Sequence, residues 1–168
     1  EELAYTDSLT LAPNRQAFER DLHRAFADKD NRNNLWIGIF DLNNLKLIND
    51  HHGHAKGDEA LRRVYTIIDS VCSAYGVCYR IGGDEFACIL RHAGVSAGSV
   101  RKMAEQIDAK ASEHQGTVDY PFEIALGFEA CRVEDESPEK AFQQADRAMY
   151  LNKSQKKSMT VPGTVTQP

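Results

Sequence analysis

The sequence predicts one α/β or α+β domain, a single sheet with helices packed against it. Three observations carry that reading. Segments with apolar residues at helical spacing alternate with short apolar runs, the pattern of layered sheet-and-helix folds. A length of 168 residues suits one core rather than several. A hydrophobic fraction of 42% beside a charged fraction of 27% is that of a globular domain, not of a disordered chain.

The elements follow in order. Phe18, Leu22 and Phe26 recur every four residues and predict a first helix over 13–26. Leu35-Trp36-Ile37-Gly38-Ile39-Phe40 is a nearly continuous apolar run, as in a strand buried on both faces, and it ends at Asp41. A short helix is expected over 45–49, then a polar loop, His51-His52-Gly53-His54. Leu61, Val64, Ile68 and Val71 mark the inner face of a helix over 58–75. Val77-Cys78-Tyr79 and Ala87-Cys88-Ile89-Leu90 read as two strands of a hairpin. Val100, Met103 and Ile107 predict a helix over 96–114, and 122–128 alternates like a strand. Ser137-Pro138 opens the last helix, with serine at the cap and proline in the first turn. The folded unit is expected over 1–160. The polar stretch 161–168 lacks periodicity and is expected to be a disordered tail.

The chemistry concentrates in Arg80-Ile81-Gly82-Gly83-Asp84-Glu85-Phe86. Paired glycines tolerate the positive backbone angles of tight hairpins. Asp84 and Glu85 at the mouth of such a turn can hold a hard cation such as magnesium, and a glycine backbone lets a phosphate come close. A solvated hairpin tip fits the same residues. Asp41 lies at the C-terminal edge of a central strand, where ligands of open α/β sheets collect. If the strands are neighbours, Asp41, Asp84 and Glu85 converge.

The segment 49–58 is dense in polar groups. It reads either as a loop with Asp58 as a helix cap or as a base pocket. An aspartate accepts two hydrogen bonds from guanine N1–H and its amine, and an asparagine amide complements the ring's other edge. Lys153, Lys156 and Lys157 suit the C-terminal end of a helix dipole. They also suit a triphosphate, as do Lys46 and Lys56.

The formal net charge of −5 argues against a nucleic-acid backbone binder, which needs a basic surface. Cys72, Cys78, Cys88 and Cys131 form no Cys-x-x-Cys pair and have no histidine at zinc-ligand spacing. They read as reduced structural thiols of a cytoplasmic domain. No apolar stretch is long enough to cross a bilayer, so no membrane contact by this domain is expected. An N-terminal sensor or regulatory domain is expected to precede the charged Glu1-Glu2.

Taken in order, these pieces resemble the GGDEF family of diguanylate cyclases over about 7–157. Asp7-Ser8-Leu9-Thr10 with Pro13-Asn14-Arg15 resembles its opening motif. Phe40-Asp41-Leu42, Leu45-Lys46-Leu47-Ile48-Asn49-Asp50, Gly53-His54 and Gly57-Asp58 resemble its nucleotide segment. The run 80–86 carries the naming motif intact. Ala145-Asp146-Arg147-Ala148-Met149-Tyr150 with Lys153 resembles its closing helix.

The resemblance implies an α+β fold, with a five-stranded mixed or antiparallel sheet surrounded by helices, related to nucleotidyl cyclases and polymerase palms. It implies condensation of two GTP into cyclic di-GMP at the interface of a homodimer, with Mg2+ or Mn2+ as cofactor. Asp41, Asp84 and the Leu42 carbonyl would hold the metal. Glu85 would assist the metal or the attacking hydroxyl, beside Asp84. Asn49 and Asp58 would read guanine. Lys46, Lys153, Lys157 and the amides near Asn44 and Leu45 would contact phosphates, with Gly82 and Gly83 giving them room.

Departures from the family pattern bear on function. Asn43 replaces a second acid, Leu11-Ala12 replaces Gly-Leu, and Lys156-Lys157 replaces Gly-Arg. Ser73 and Gly76 stand where many members carry the Arg and Asp of a product-inhibition site, so no tight product binding is expected there. An inactive GTP-binding or dimerising module is the alternative. An RNA-binding sheet domain is disfavoured by the acidic charge and the lack of an aromatic triplet on central strands.

Overall fold

The computed structural model describes residues 2–30, 34–132, 134 and 137–160, the last four without their side chains, as also for residues 2 and 3. A short 3-10 turn (Glu2–Tyr5) precedes α1 (Arg15–Ala27), β1 (Trp36–Leu42), α2 (Leu45–His52), α3 (His54–Cys72), β2 (Gly76–Arg80), β3 (Glu85–Leu90), α4 (Ala97–Gln115), β4 (Ile124–Ala130) and α5 (Pro138–Thr160). The sheet is antiparallel throughout, in the order β2-β3-β1-β4.

The α+β class expected from sequence is present, with one correction: four strands, not five, among the described residues. At the start of β4, α5 side chains rather than a further strand meet the outer edge. Asn152 of α5 accepts from the Leu126 amide at 3.0 Å, and Lys156 donates to the Ile124 carbonyl. Side chains that satisfy edge groups remove the template on which another strand would pair.

The apolar run of β1 is buried on both faces, as its composition requires. Phe40 and Leu42 join the core under α2, α3 and α4, with Ile48, Leu61, Val64 and Ile107. Ile37 and Ile39 join the core under α1 and α5, with Phe18, Leu22, Ala145 and Met149. Period-two alternation then sends Asp41 to the α1–α5 face.

Local chemistry sets the boundaries. Asn14, not Pro13, starts α1, its Oδ1 accepting from the Ala17 amide at 3.1 Å. Ser96 and Ser99 form a reciprocal capping box on α4. The expected polar loop at 51–54 is helical instead. Only Gly53, at φ +86°, separates α2 from α3, an angle that glycine reaches without steric cost. Asp58 therefore lies inside α3 rather than capping it. Among the described residues, no helix is long and apolar enough to cross a membrane. The expected tail at 161–168 lies outside them.

Candidate functional site

The β1–β3 register aligns Asp41 with Glu85. The Leu42 amide donates to the Asp84 carbonyl at 2.9 Å, which ties the β2–β3 turn to the end of β1. Asp41 is 8% exposed. Burial pushes its carboxyl up; the neighbouring Asp84 adds to this, Lys153 opposes it, and the balance stands at about 6. Lys153 Nζ of α5 lies 2.7 Å from Asp41 Oδ2. Asp41 Oδ1 is buried and lacks any hydrogen-bond partner.

Glu85 rises to about 7, first by burial and then through the charges of Asp146, Asp41 and Asp84, with a hydrogen bond to Asp146. Three acids thus act on one another at this edge. They do not form a three-ligand cage: no group of three His, Cys, Asp or Glu among the described residues has metal-holding geometry. Glu85 is engaged by Asp146 of α5, a residue that lies in the closing-helix motif with no role implied by the motif.

The remaining donor set fits a small hard cation. Asp41 and Asp84 are two adjacent carboxylates whose mutual repulsion a cation relieves. The orphaned Asp41 Oδ1 is a desolvated acceptor in need of one. Magnesium takes one or two protein carboxylates and completes its shell from phosphate and water.

The hairpin turn departs from expectation in one respect. Neither Gly82 nor Gly83 takes a positive φ in the left-handed range. A Cβ on Gly83 would meet nothing within 4 Å, so this glycine leaves open space above the turn. Arg80 braces the turn from below, donating through Nη2 to the Gly83 carbonyl at 2.7 Å.

On the other side of β1, Asn44 enters α2 at φ 66° without a side-chain cap. The first-turn amides of α2, around Leu45 and Lys46, thus face no capping oxygen, the ordinary condition of an anion-binding helix start. Lys46 is exposed. Asn49 of α2 lies against Gly57 of α3: a Cβ there would sit 1.8 Å from Asn49 Oδ1. That close approach packs Asn49 on the turn of α3 that carries half-buried Asp58.

Not every basic candidate reaches the acids. Lys156 is held by Asp108 at 2.7 Å and by the Ile124 carbonyl. Lys56 pairs with Glu59. The side chain of Lys157 lies outside the described residues.

At the inhibition-site positions, Ser73 follows α3 and Gly76 opens β2. A Cβ on Gly76 would fall 1.8 Å from the Ile89 carbonyl oxygen. No aspartate fits there without moving the β2–β3 ladder.

The geometry has close counterparts. A diguanylate cyclase of Vibrio cholerae serotype O1 is 35% identical over 157 residues, covering 90% of this chain and 47% of that protein. The diguanylate cyclase DgcP of Escherichia coli K12 is 36% identical, covering 91% and 46%. The chain therefore spans about half the length of these curated relatives. The GGDEF domain of DgcB from Caulobacter crescentus, solved in complex with c-di-GMP, superposes with a TM-score of 0.80 at 31% identity, over 90% of this chain and 91% of that one. The family model described as "Diguanylate cyclase, GGDEF domain" matches residues 4–159. With the naming motif intact on the hairpin beside Asp41, the chain belongs to the GGDEF domain family of diguanylate cyclases.

Proposed function

We propose that the domain condenses two GTP molecules into cyclic di-GMP with release of two pyrophosphates, each of two facing protomers holding one GTP. The observation that carries this reading is the pairing of Asp41 and Asp84 at the β1 edge next to the uncapped start of α2. The diguanylate cyclase names of relatives at 35–36% identity support it.

Asp41, Asp84 and the Leu42 carbonyl would hold Mg2+ or Mn2+. When bound, such a cation acidifies a hydroxyl and stabilises a phosphate leaving group. Asn49 and Asp58 bind and orient guanine, Asp58 accepting from N1–H and the amine. The α2 amides with Lys46, Lys153 and Lys157 neutralise the triphosphate; the open space at Gly83 admits it, and Gly82 gives it a bare backbone against Glu85. Glu85, poised near neutral pH, receives the proton of the attacking 3'-hydroxyl. Each attack forms a bond from that oxygen to the partner GTP's α-phosphorus and breaks the bond to pyrophosphate. Two such attacks close the ring. Product does not bind tightly at Ser73 and Gly76.

The test is incubation with GTP and magnesium at high protein concentration, with mass spectrometry of the products beside Asp84→Ala and Glu85→Ala. Cyclic di-GMP from the wild type alone, at a rate rising faster than linearly with protein, is the expected result. Magnesium-dependent GTP binding without product, even with protomers linked as a dimer, points to a regulatory module instead.

A further inference from the structure

Outside the nucleotide site, three thiols from three elements meet in the core beneath the signature hairpin. Cys72 ends α3, Cys78 lies in β2 and Cys88 in β3. All three are free and at most 1% exposed. Cys72 lies in the same buried cluster as both others, close enough for each to shift its ionisation. Cys78 and Cys88 are direct partners in the β2–β3 ladder.

The kind of pair matters. In this ladder the Arg91 amide donates to the Tyr75 carbonyl and the Ile81 amide to the Glu85 carbonyl, each at 2.9 Å. Those two pairs are hydrogen-bonded, and the type alternates along an antiparallel ladder. Counting inward from either end makes 78–88 a non-hydrogen-bonded pair. Such pairs bring Cα atoms to about 4.5 Å, with side chains closer than in the alternate type, inside the Cα separation that a disulfide spans.

We propose that Cys72, Cys78 and Cys88 form a thiol oxidation site, with hydroperoxide as the oxidant and a Cys78–Cys88 cross-strand disulfide as the end product. Cys72 starts the reaction. The Cys78 and then the Cys88 thiol beside it draw its ionisation down against burial, whereas the Cys72 contact and burial push Cys78 and Cys88 up. The Cys72 sulfur attacks one peroxide oxygen, an S–O bond forms, the O–O bond breaks, and the departing oxygen takes a proton to leave as water or alcohol. Cys78 displaces hydroxide from that sulfenic sulfur, giving a Cys72–Cys78 disulfide and water. Cys88 then attacks the Cys78 sulfur, forming Cys78–Cys88 and returning Cys72 as a thiol. Overall two thiols lose two hydrogens and two electrons to one peroxide. Access comes through β2, an edge strand with half-exposed Val77, since edges open more readily than central strands. The site is independent of the proposed cyclase reaction.

The experiment treats the protein with hydrogen peroxide, alkylates it under denaturing conditions, and maps tryptic peptides by mass spectrometry. Residues 64–80 carry Cys72 and Cys78, and 81–91 carry Cys88, so the two peptides are expected joined, two hydrogens lighter, and separated again by dithiothreitol. Fragmentation should place the bond at Cys78. Cys72→Ser should slow cross-linking about tenfold or more, as expected when the most ionised thiol is lost, while Cys131→Ser leaves it unchanged. Alkylation of all three thiols after prolonged peroxide, a Cys72–Cys78 bond as the final product, or three thiols oxidised only to acids overturns the proposal. These outcomes are read on the wild type and need no variant to fold.

Discussion

Asp7 and Arg80, far apart in sequence, are joined by an ion pair in which Arg80 Nη1 lies 3.1 Å from both carboxylate oxygens. The same guanidinium holds the Gly83 carbonyl through Nη2, and the Arg80 amide donates to the Pro13 carbonyl. The opening motif and the signature turn are thus one connected unit. Burial alone would raise Asp7. Hydrogen bonds from the Thr10 hydroxyl and amide, with the Arg80 contact, hold it below the usual carboxylate value.

Breaking that unit should destabilise the fold and loosen the turn. Asp7→Ala is expected to cost about 2 kcal/mol in urea denaturation, the scale of a lost charge-assisted pair with an arginine left behind. A depressed folded value means this contribution is complete above the unfolded value near 3.8 and is lost as pH falls through the lower folded value. The difference between wild type and variant should therefore shrink only in strong acid.

Asp41 and Glu85 act in the opposite direction. Their folded values, about 6 and about 7, lie above the ordinary carboxylate values of 3.8 and 4.5. The folded protein binds more protons than the unfolded chain in that window, so without metal its stability falls as pH rises from about 4 to 7. Asp41→Asn should remove its share, gaining roughly 1–2 kcal/mol at pH 8 after discounting for solvent screening and flattening the profile. Denaturation across pH in a chelator tests this; an unchanged slope would count against the burial account.

Gly57→Ala separates folding from recognition. Alanine favours a helix interior by about 1 kcal/mol over glycine, and the atom it meets is the movable end of Asn49. The variant is expected to be at least as stable as wild type. GTP affinity should drop about tenfold, the worth of one misplaced hydrogen bond. Calorimetric titration with GTP and, as a control, ATP reads the difference.

Leu11 holds φ 64° with a side chain 75% exposed. A left-handed conformation costs a leucine about 1–2 kcal/mol, and little burial repays it. Leu11→Gly should therefore raise stability by about 1 kcal/mol once glycine's own entropy is counted. Thermal unfolding checks it.

Much of this was legible in the chain. The doubly apolar run of β1 announced a central strand, Ser137-Pro138 announced α5, and the intact signature announced the hairpin. The helical nature of 51–54 was not, because polar histidines resemble a loop until α2 and α3 are seen to pack on either side of Gly53. Asp146 was quoted within a helix motif, yet its approach to Glu85 depends on how α5 crosses the sheet.

The sequence by itself determined the family, the order of elements and the identity of the acids, because those rest on local spacing and residue type. Tertiary structure alone decided which partners those acids have. Asp41 meets Lys153 because β1's alternation turns it toward α5, and α5 side chains take up the Leu126 amide and the Ile124 carbonyl at the edge of β4. Such contacts join positions far apart along the chain, and their energies depend on burial and distance, which spacing does not encode.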